Sequence, residues 1–354
     1  MDTTTFRILD IASAYLDTPL SINQVTGKIK ETYGTAHYAN IYTKIHDLQK
    51  QSILNLNQTG KSSTIELNFR NYLLTDFLAE MEIKKKIDLL KRKNDLQILF
   101  TEMEKQLEVI YSIKSICLAD FESNIKLNRI ELLFLLKGSD IKLSYQHDTA
   151  QIYNELRKLQ DKHNLRIDAL ILNESNFFDL IKTDEINPLK EILPRKTAFF
   201  CPQAFWNQIK QITETGIKIK VNENQTNPTR ISDADLTYNL ARFGYKEFGL
   251  TIEQGQRICI EYIITTLLIQ NDARRILAIP IILAKNSTKS NLTIFLSQKY
   301  EVSGRLLGLM RITHKIKPTK EIGEAIKLLE ILNAKEIPTN EKDILQKMRL
   351  YNAA

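Results

Sequence analysis

The sequence predicts an α+β fold in four segments, and three observations predict it. Residues 1–75 place three helix-period runs ahead of two short β-like runs. Residues 113–206 alternate strand and helix patterns. Residues 76–112 and 230–354 carry helical spacing almost throughout. The chain has 354 residues, 43% of them hydrophobic and 26% charged, enough apolar material for two or three packed cores and too much for a disordered chain. The segments expected are 1–75, 76–112, 113–221 and 230–354, with the polar, proline-containing stretch 222–230 as a linker.

In the first segment, FRILDIASAYL (6–16) sets Phe6, Leu9, Ile11, Ala14 and Tyr15 near one helix face, and Asp17-Thr18-Pro19 breaks the run. SINQVTGKIKETYG (21–34) follows. Ser21 is a capping residue, Ile22, Val25 and Ile29 form the apolar face, and Gly34 is a stop. The next helix runs over TAHYANIYTKIHDLQKQSI, with Thr35 expected as its cap and Ala39, Tyr42, Ile45 and Leu48 as its buried stripe. ILNLNQ (53–58) and STIELNF (63–69) then read as strands of a hairpin turning over residues 59–62.

Three helices followed by a hairpin resembles the winged helix-turn-helix of transcription regulators. The resemblance implies a third helix that enters the major groove of double-stranded DNA and a hairpin wing against the backbone. The outward side chains of that helix would be His37, Tyr38, Asn40, Thr43, Lys44 and Asp47, with Lys61 and Ser62 at the wing tip. An asparagine can read adenine bidentately, and a lysine can meet phosphate or guanine. Residues 21–70 hold six basic and three acidic side chains, a mild bias only. The alternative role of such a unit is protein docking. His37 and His46 have no partners nearby to complete a metal set.

Residues 71–112 contain neither proline nor glycine. Their apolar positions, from Leu74, Leu78 and Met81 to Met103, Leu107 and Ile110, recur at three- and four-residue steps with drift. One long helix or two is expected. An amphipathic connector of this length supports a homodimer, which would suit a reader of two half-sites.

From 113 onward, SICL, RIELLFLL and LRIDALILN read as strands, and HDTAQIYNELRKLQDKH and ESNFFDLIKTD as helices. The layout is similar to the minimal nucleotidyltransferase domain of the DNA polymerase β superfamily. In that family a strand leads into Gly-Ser, the next strand carries Asp-x-Asp and a third carboxylate follows. The joining of this domain to an upstream winged helix resembles archaeal regulator-like proteins. Residues i and i+2 of a strand share a face, so Asp-x-Asp aims two carboxylates at a Mg²⁺ pair. On this sequence the resemblance places Gly-Ser at Ala119 and Asp120, Asp-x-Asp at Arg129 and Glu131, and the later carboxylate at Asp168. A cation stands where the first metal ligand belongs and an acid where a phosphate donor belongs. The expectation is therefore a degenerate domain with no catalytic residues, no metal and no cofactor, in which Arg129 pairs with Glu131 or Asp168. Gly138-Ser139-Asp140 reads as a turn.

The last segment carries 19 basic and 13 acidic residues, so the net +7 of the chain is concentrated there. Its helical runs are interrupted at Pro280, Asn286, Gly304 and Pro318, and a helical bundle is expected. The sequence has no P-loop, nucleophile elbow or zinc motif. The longest apolar run, 276–284, is too short for a membrane span and contains a proline. The N-terminus has no signal-peptide layout, and Cys117, Cys201 and Cys259 form neither a disulfide framework nor a metal spacing. A cytoplasmic protein without membrane contact is expected.

The reading is an α+β chain with an N-terminal winged helix, a helical connector, a small nucleotidyltransferase-like domain and a C-terminal helical bundle. Its expected function is DNA binding and transcription regulation. The alternative is an active Mg²⁺-dependent nucleotidyltransferase, such as a toxin–antitoxin component, using Glu131, Asp168 and an acid such as Asp120 or Glu122.

Overall fold

The computed structural model describes every residue except 17, 61, 139–141, 223 and 247–252. It is mixed α/β, 60% helix and 13% strand, with the strands in two small sheets.

The first unit runs α1 (Thr3–Ala14), β1 (Leu20–Ser21), α2 (Ile22–Tyr33), α3 (Tyr38–Lys50), β2 (Leu54–Thr59) and β3 (Ser62–Leu67), with antiparallel sheet order β1-β3-β2. The Ser21 hydroxyl accepts from the Gln24 N–H, and the Gln24 side chain accepts from the Ser21 N–H, a reciprocal cap on α2. Gly34 ends α2 at φ 80°, a conformation open to glycine. Two expectations for α3 shift. His37, not Thr35, stands at its N-cap, with no side-chain hydrogen bond. Its buried stripe is Ile41, Ile45 and Leu48, while Ala39 and Tyr42 are exposed. The spacing i, i+4, i+7 fits one helical face better than the stripe expected through Ala39 and Tyr42, so the aromatic side chain is turned outward.

The connector is two helices, α4 (Leu74–Arg92) and α5 (Asn94–Leu107), broken at Lys93. The middle unit follows as β4 (Ile113–Ala119), α6 (Phe121–Ile125), β5 (Arg129–Leu136), α7 (Lys142–His163), β6 (Arg166–Asn173), α8 (Glu174–Lys182), α9 (Pro188–Ile192), β7 (Lys196–Phe200) and α10 (Pro202–Glu214). The sheet order is β6-β5-β4-β7, with β5 and β6 parallel and the other pairs antiparallel. Strand β5 is buried from Ile130 to Leu136, which accounts for its unbroken apolar run.

Both edges of this sheet are closed by side chains. On β7, Glu82 of α4 accepts from the Ala198 N–H at 3.0 Å, and Lys85 and Lys86 donate to the Lys196 and Phe199 carbonyls at 3.2 and 2.9 Å. On β6, Tyr153 donates to the Ala169 carbonyl at 3.1 Å and Tyr145 to the Ile171 carbonyl at 3.2 Å. Edge groups satisfied in this way are withheld from pairing with another chain.

The helices α11 (Asp233–Arg242), α12 (Ile260–Gln270), α13 (Ala278–Lys285), α14 (Ser290–Lys299), α15 (Ser303–Ile316), α16 (Lys320–Ile331) and α17 (Glu341–Leu350) complete the chain. Two expected breaks lie inside helices. Pro280 sits in the first turn of α13, where its missing N–H costs no helical bond. Gly304 opens α15 for packing: a Cβ there would lie 2.2 Å from the Lys335 carbonyl oxygen, and one at Gly308 2.2 Å from that of Ile337. The stretch 222–230 is anchored rather than free. The Asn222 N–H donates to the Lys190 carbonyl, Gln225 to Asp120 and the Thr226 N–H to Glu191.

Candidate functional site

Two places bring the expected site residues together. The first is the open face of α3. His37, Tyr38, Asn40 and Thr43 are exposed, and Tyr38, Tyr42 and His46 form a ladder with ring centroids 5.9 and 4.4 Å apart. The Asn40 carboxamide makes no hydrogen bond among the described residues, whereas the Thr43 hydroxyl donates back to the Ala39 carbonyl. Lys44 is half-buried and paired with Asp2 at 3.2 Å. Asp2 also caps α1, accepting from the Thr5 N–H at 2.9 Å and from its hydroxyl at 2.8 Å. Partial burial opposes its ionisation, but these bonds and Lys44 hold its carboxyl down at about 2. Ser62 is exposed at the start of β3, beside Gly60 at φ 62°, and Lys61 lies outside the described residues.

The second place is where β4, β5 and β6 run level. Ala119 lies opposite Glu131 and Glu131 opposite Asp168, while Asp120 begins α6 in the left-handed conformation, φ 40°. Ala119, Asp120, Arg129, Glu131 and Asp168 thus lie together at one end of neighbouring strands. What fills the site was not legible. Lys299, at the end of α14, places its ammonium 2.8 Å from Glu131 Oε2, and both side chains are buried. The Arg129 guanidinium approaches Glu131 Oε1 at 3.1 Å, an ionic contact whose geometry falls short of a hydrogen bond, so Arg129 pairs with Glu131 and not Asp168. Arg129 also donates to Asn124 at 3.0 Å. Arg166 donates to Asp168 Oδ1 at 3.0 Å and reaches the Gln298 carbonyl in the last turn of α14 and Glu301 just beyond it. The C-terminal helices therefore seat themselves on the carboxylates.

The room left is a cavity of about 10 Å³, lined by Ala119, Asp120, Glu131, Glu191, Arg195 and Lys299 among others. That is space for about one water and none for a nucleotide. The donor set also fails to fit a Mg²⁺ pair. Two cations already hold Glu131, and among the described residues no three His, Cys, Asp or Glu side chains are grouped so as to hold a metal ion. Lys299, Arg166 and Glu191 are the participants that sequence reasoning missed. Lys299 is 168 residues from its partner, a separation that no spacing rule reaches. The tempting Gly138-Ser139-Asp140 falls partly outside the described residues; Gly138 donates its N–H to Glu174 at 2.9 Å.

Asp168 is 1% exposed and its Oδ2 has no hydrogen-bond partner among the described residues. Burial pushes its carboxyl up to about 6, against the pull of Arg166 and with Glu131 adding repulsion. The folded chain thus keeps a proton between pH 4 and 6 that the unfolded chain releases. Stability from this group is present in full below about pH 4 and falls as pH rises to 6, by up to about 3 kcal/mol. Thermal midpoints of the native chain and Asp168→Asn, taken at pH 4.5 and 7, check this. The native chain is expected to lose ground to the variant as pH rises, and parallel profiles would refute it.

No family model, no curated protein and no solved structure matches the chain. No helix among the described residues is long and apolar enough to cross a membrane.

Proposed function

We propose that the chain is a DNA-binding protein, a cytoplasmic transcription regulator built from an N-terminal winged helix, a helical connector, a catalytically inactive nucleotidyltransferase-like scaffold and a C-terminal helical bundle. The observation that carries the reading is the first unit. Its sheet order β1-β3-β2 and its exposed α3 face, with Asn40 and Thr43 outward and a hairpin beside it, form a helix-and-wing surface of the kind that enters a major groove. His37, Tyr38, Asn40, Thr43, Lys61 and Ser62 are the proposed contacts, and Lys44 lies on the same face but is paired with Asp2. A homodimer belongs to the same proposal, with Ile83 and Ile87 exposed one turn apart on α4 as its seam.

The middle unit acts in this reading as a joint rather than a catalyst. Lys299 on Glu131, Arg129 in a ligand position and the nearly closed cavity all weigh against the transferase alternative. Transfer of labelled nucleotide in Mg²⁺, abolished by Glu131→Ala, would restore that alternative. A second reading, protein docking, is favoured by one observation: the Tyr38–Tyr42–His46 ladder with Lys44 already paired makes α3 rich in aromatic and poor in free positive charge. Anisotropy of labelled duplex DNA separates the two. The regulator reading expects a fragment from the chain's own upstream region to bind more tightly than a scrambled one, with affinity falling as salt rises.

A further inference from the structure

Resting on the DNA-binding reading, we infer that α3 is selective for A·T-rich duplex, with Asn40 as the base-reading side chain and Asp2 withholding Lys44 from the groove. Guanine is read most often by arginine or lysine donating to O6 and N7, and adenine by asparagine or glutamine at N6 and N7. Helix α3 holds no arginine. Its lysines are Lys44, held by Asp2 at 3.2 Å, and Lys50, ten residues beyond Asn40 in the last turn and 3.8 Å from Asp47. At the helical rise that is about 15 Å from Asn40, away from the end of a recognition helix that meets base edges.

What remains at the N-terminal end is an exposed carboxamide with no internal partner, flanked by exposed Ala39 and Thr43. The carboxamide matches the donor–acceptor pair of adenine, and the methyl groups of Ala39 and Thr43 match the thymine methyl. The Asp2 carboxylate does two further things. It occupies the ammonium that would otherwise meet guanine or phosphate, and it places a negative charge beside the approaching backbone. Asparagine caps a helix as well as aspartate, so Asp2→Asn frees Lys44 while α1 keeps its cap.

The test uses the full chain and labelled 20-base-pair duplexes with A·T-only or G·C-only cores, over a salt series. The native chain is expected to prefer the A·T core roughly tenfold or more. Asn40→Ala should bring the ratio close to one without changing the salt slope. Asp2→Asn should tighten binding to both duplexes, steepen the salt slope by about one and narrow the preference. Adding Lys44→Ala should cancel that gain. Equal binding of both duplexes by the native chain, or a preference that survives Asn40→Ala, would overturn the inference and leave DNA binding standing. A gain from Asp2→Asn that persists without Lys44 would overturn the withholding role. Absence of binding to either duplex, by the native chain and by Asp2→Asn alike, would overturn the DNA-binding reading itself.

Discussion

Replacing Lys299 by methionine is expected to destabilise the fold by about 3 kcal/mol, because it leaves the buried Glu131 carboxylate with a single lateral cation. Glu131 is 1% exposed, and Lys299 is the group that meets its Oε2. Methionine keeps the volume of the stem and removes the charge, so the loss is electrostatic rather than a cavity. Pairing Lys299→Met with Glu131→Leu should recover most of the loss, since replacing a buried pair by apolar groups costs far less than orphaning one member. Urea unfolding followed by the fluorescence of Trp206, the one tryptophan and fully buried in the middle unit, reports this directly. A midpoint for Lys299→Met within error of the native chain would mean that the C-terminal helices do not depend on this seat.

The second large effect is expected at the β7 edge of the same sheet. Lys196 and Glu82 pair at 3.0 Å with 2% and 0% exposure, and Glu82 Oε2 also accepts from the Ala198 N–H. The Lys196 ammonium lies 4.1 Å from the Trp206 ring centre. Lys196→Met orphans Glu82 and should cost about 3–5 kcal/mol. Glu82→Gln, which can keep the Ala198 bond, should cost less. The pair also bears on how the first unit is held. Lys85 bridges Asp10 of α1 at 2.8 Å and the Lys196 carbonyl at 3.2 Å, and Tyr33 of α2 donates to the same Asp10. Burial alone would raise the Asp10 carboxyl, but Lys85 and Tyr33 hold it below its ordinary range. Loosening β7 should therefore speed proteolysis between α1 and α4 as well as dim the core. A native-like cleavage pattern in Lys196→Met would show that α1 is held independently.

Much of the element order was legible, for physical reasons that can be named. Strand β5 was read with its ends in place and β6 to within one residue, because a buried strand has to be continuously apolar, and Arg129 marks where the burial of β5 begins. Ser21 and Gly34 bounded α2 because a cap and a left-handed stop are local chemistry. Strand β7 was missed. It is five residues long, and its pairing with β4 and α4 is supplied by residues far away in the chain. The phase of α3 was misread because tyrosine is amphipathic: Tyr42 scores as core in a pattern and stands 44% exposed in the fold. The grouping of Ala119, Glu131 and Asp168 was what the resemblance implied, and the register of β4, β5 and β6 sets them side by side; the plug was not foreseen. Lys299 lies in a segment of mixed charge far along the chain, and only tertiary packing turns it onto Glu131 and brings Glu301 to Arg166.

The proposed function stands most directly on whether α3 meets DNA. The measurement is anisotropy of the labelled upstream fragment against a scrambled control, at low and physiological salt, with Asn40→Ala beside the native chain. Tighter binding to the upstream fragment is expected, weakening with salt, with loss of that preference in Asn40→Ala. No binding at micromolar protein and low salt, with the variant indistinguishable from the native chain, would contradict it and leave the aromatic face of α3 as a surface for protein.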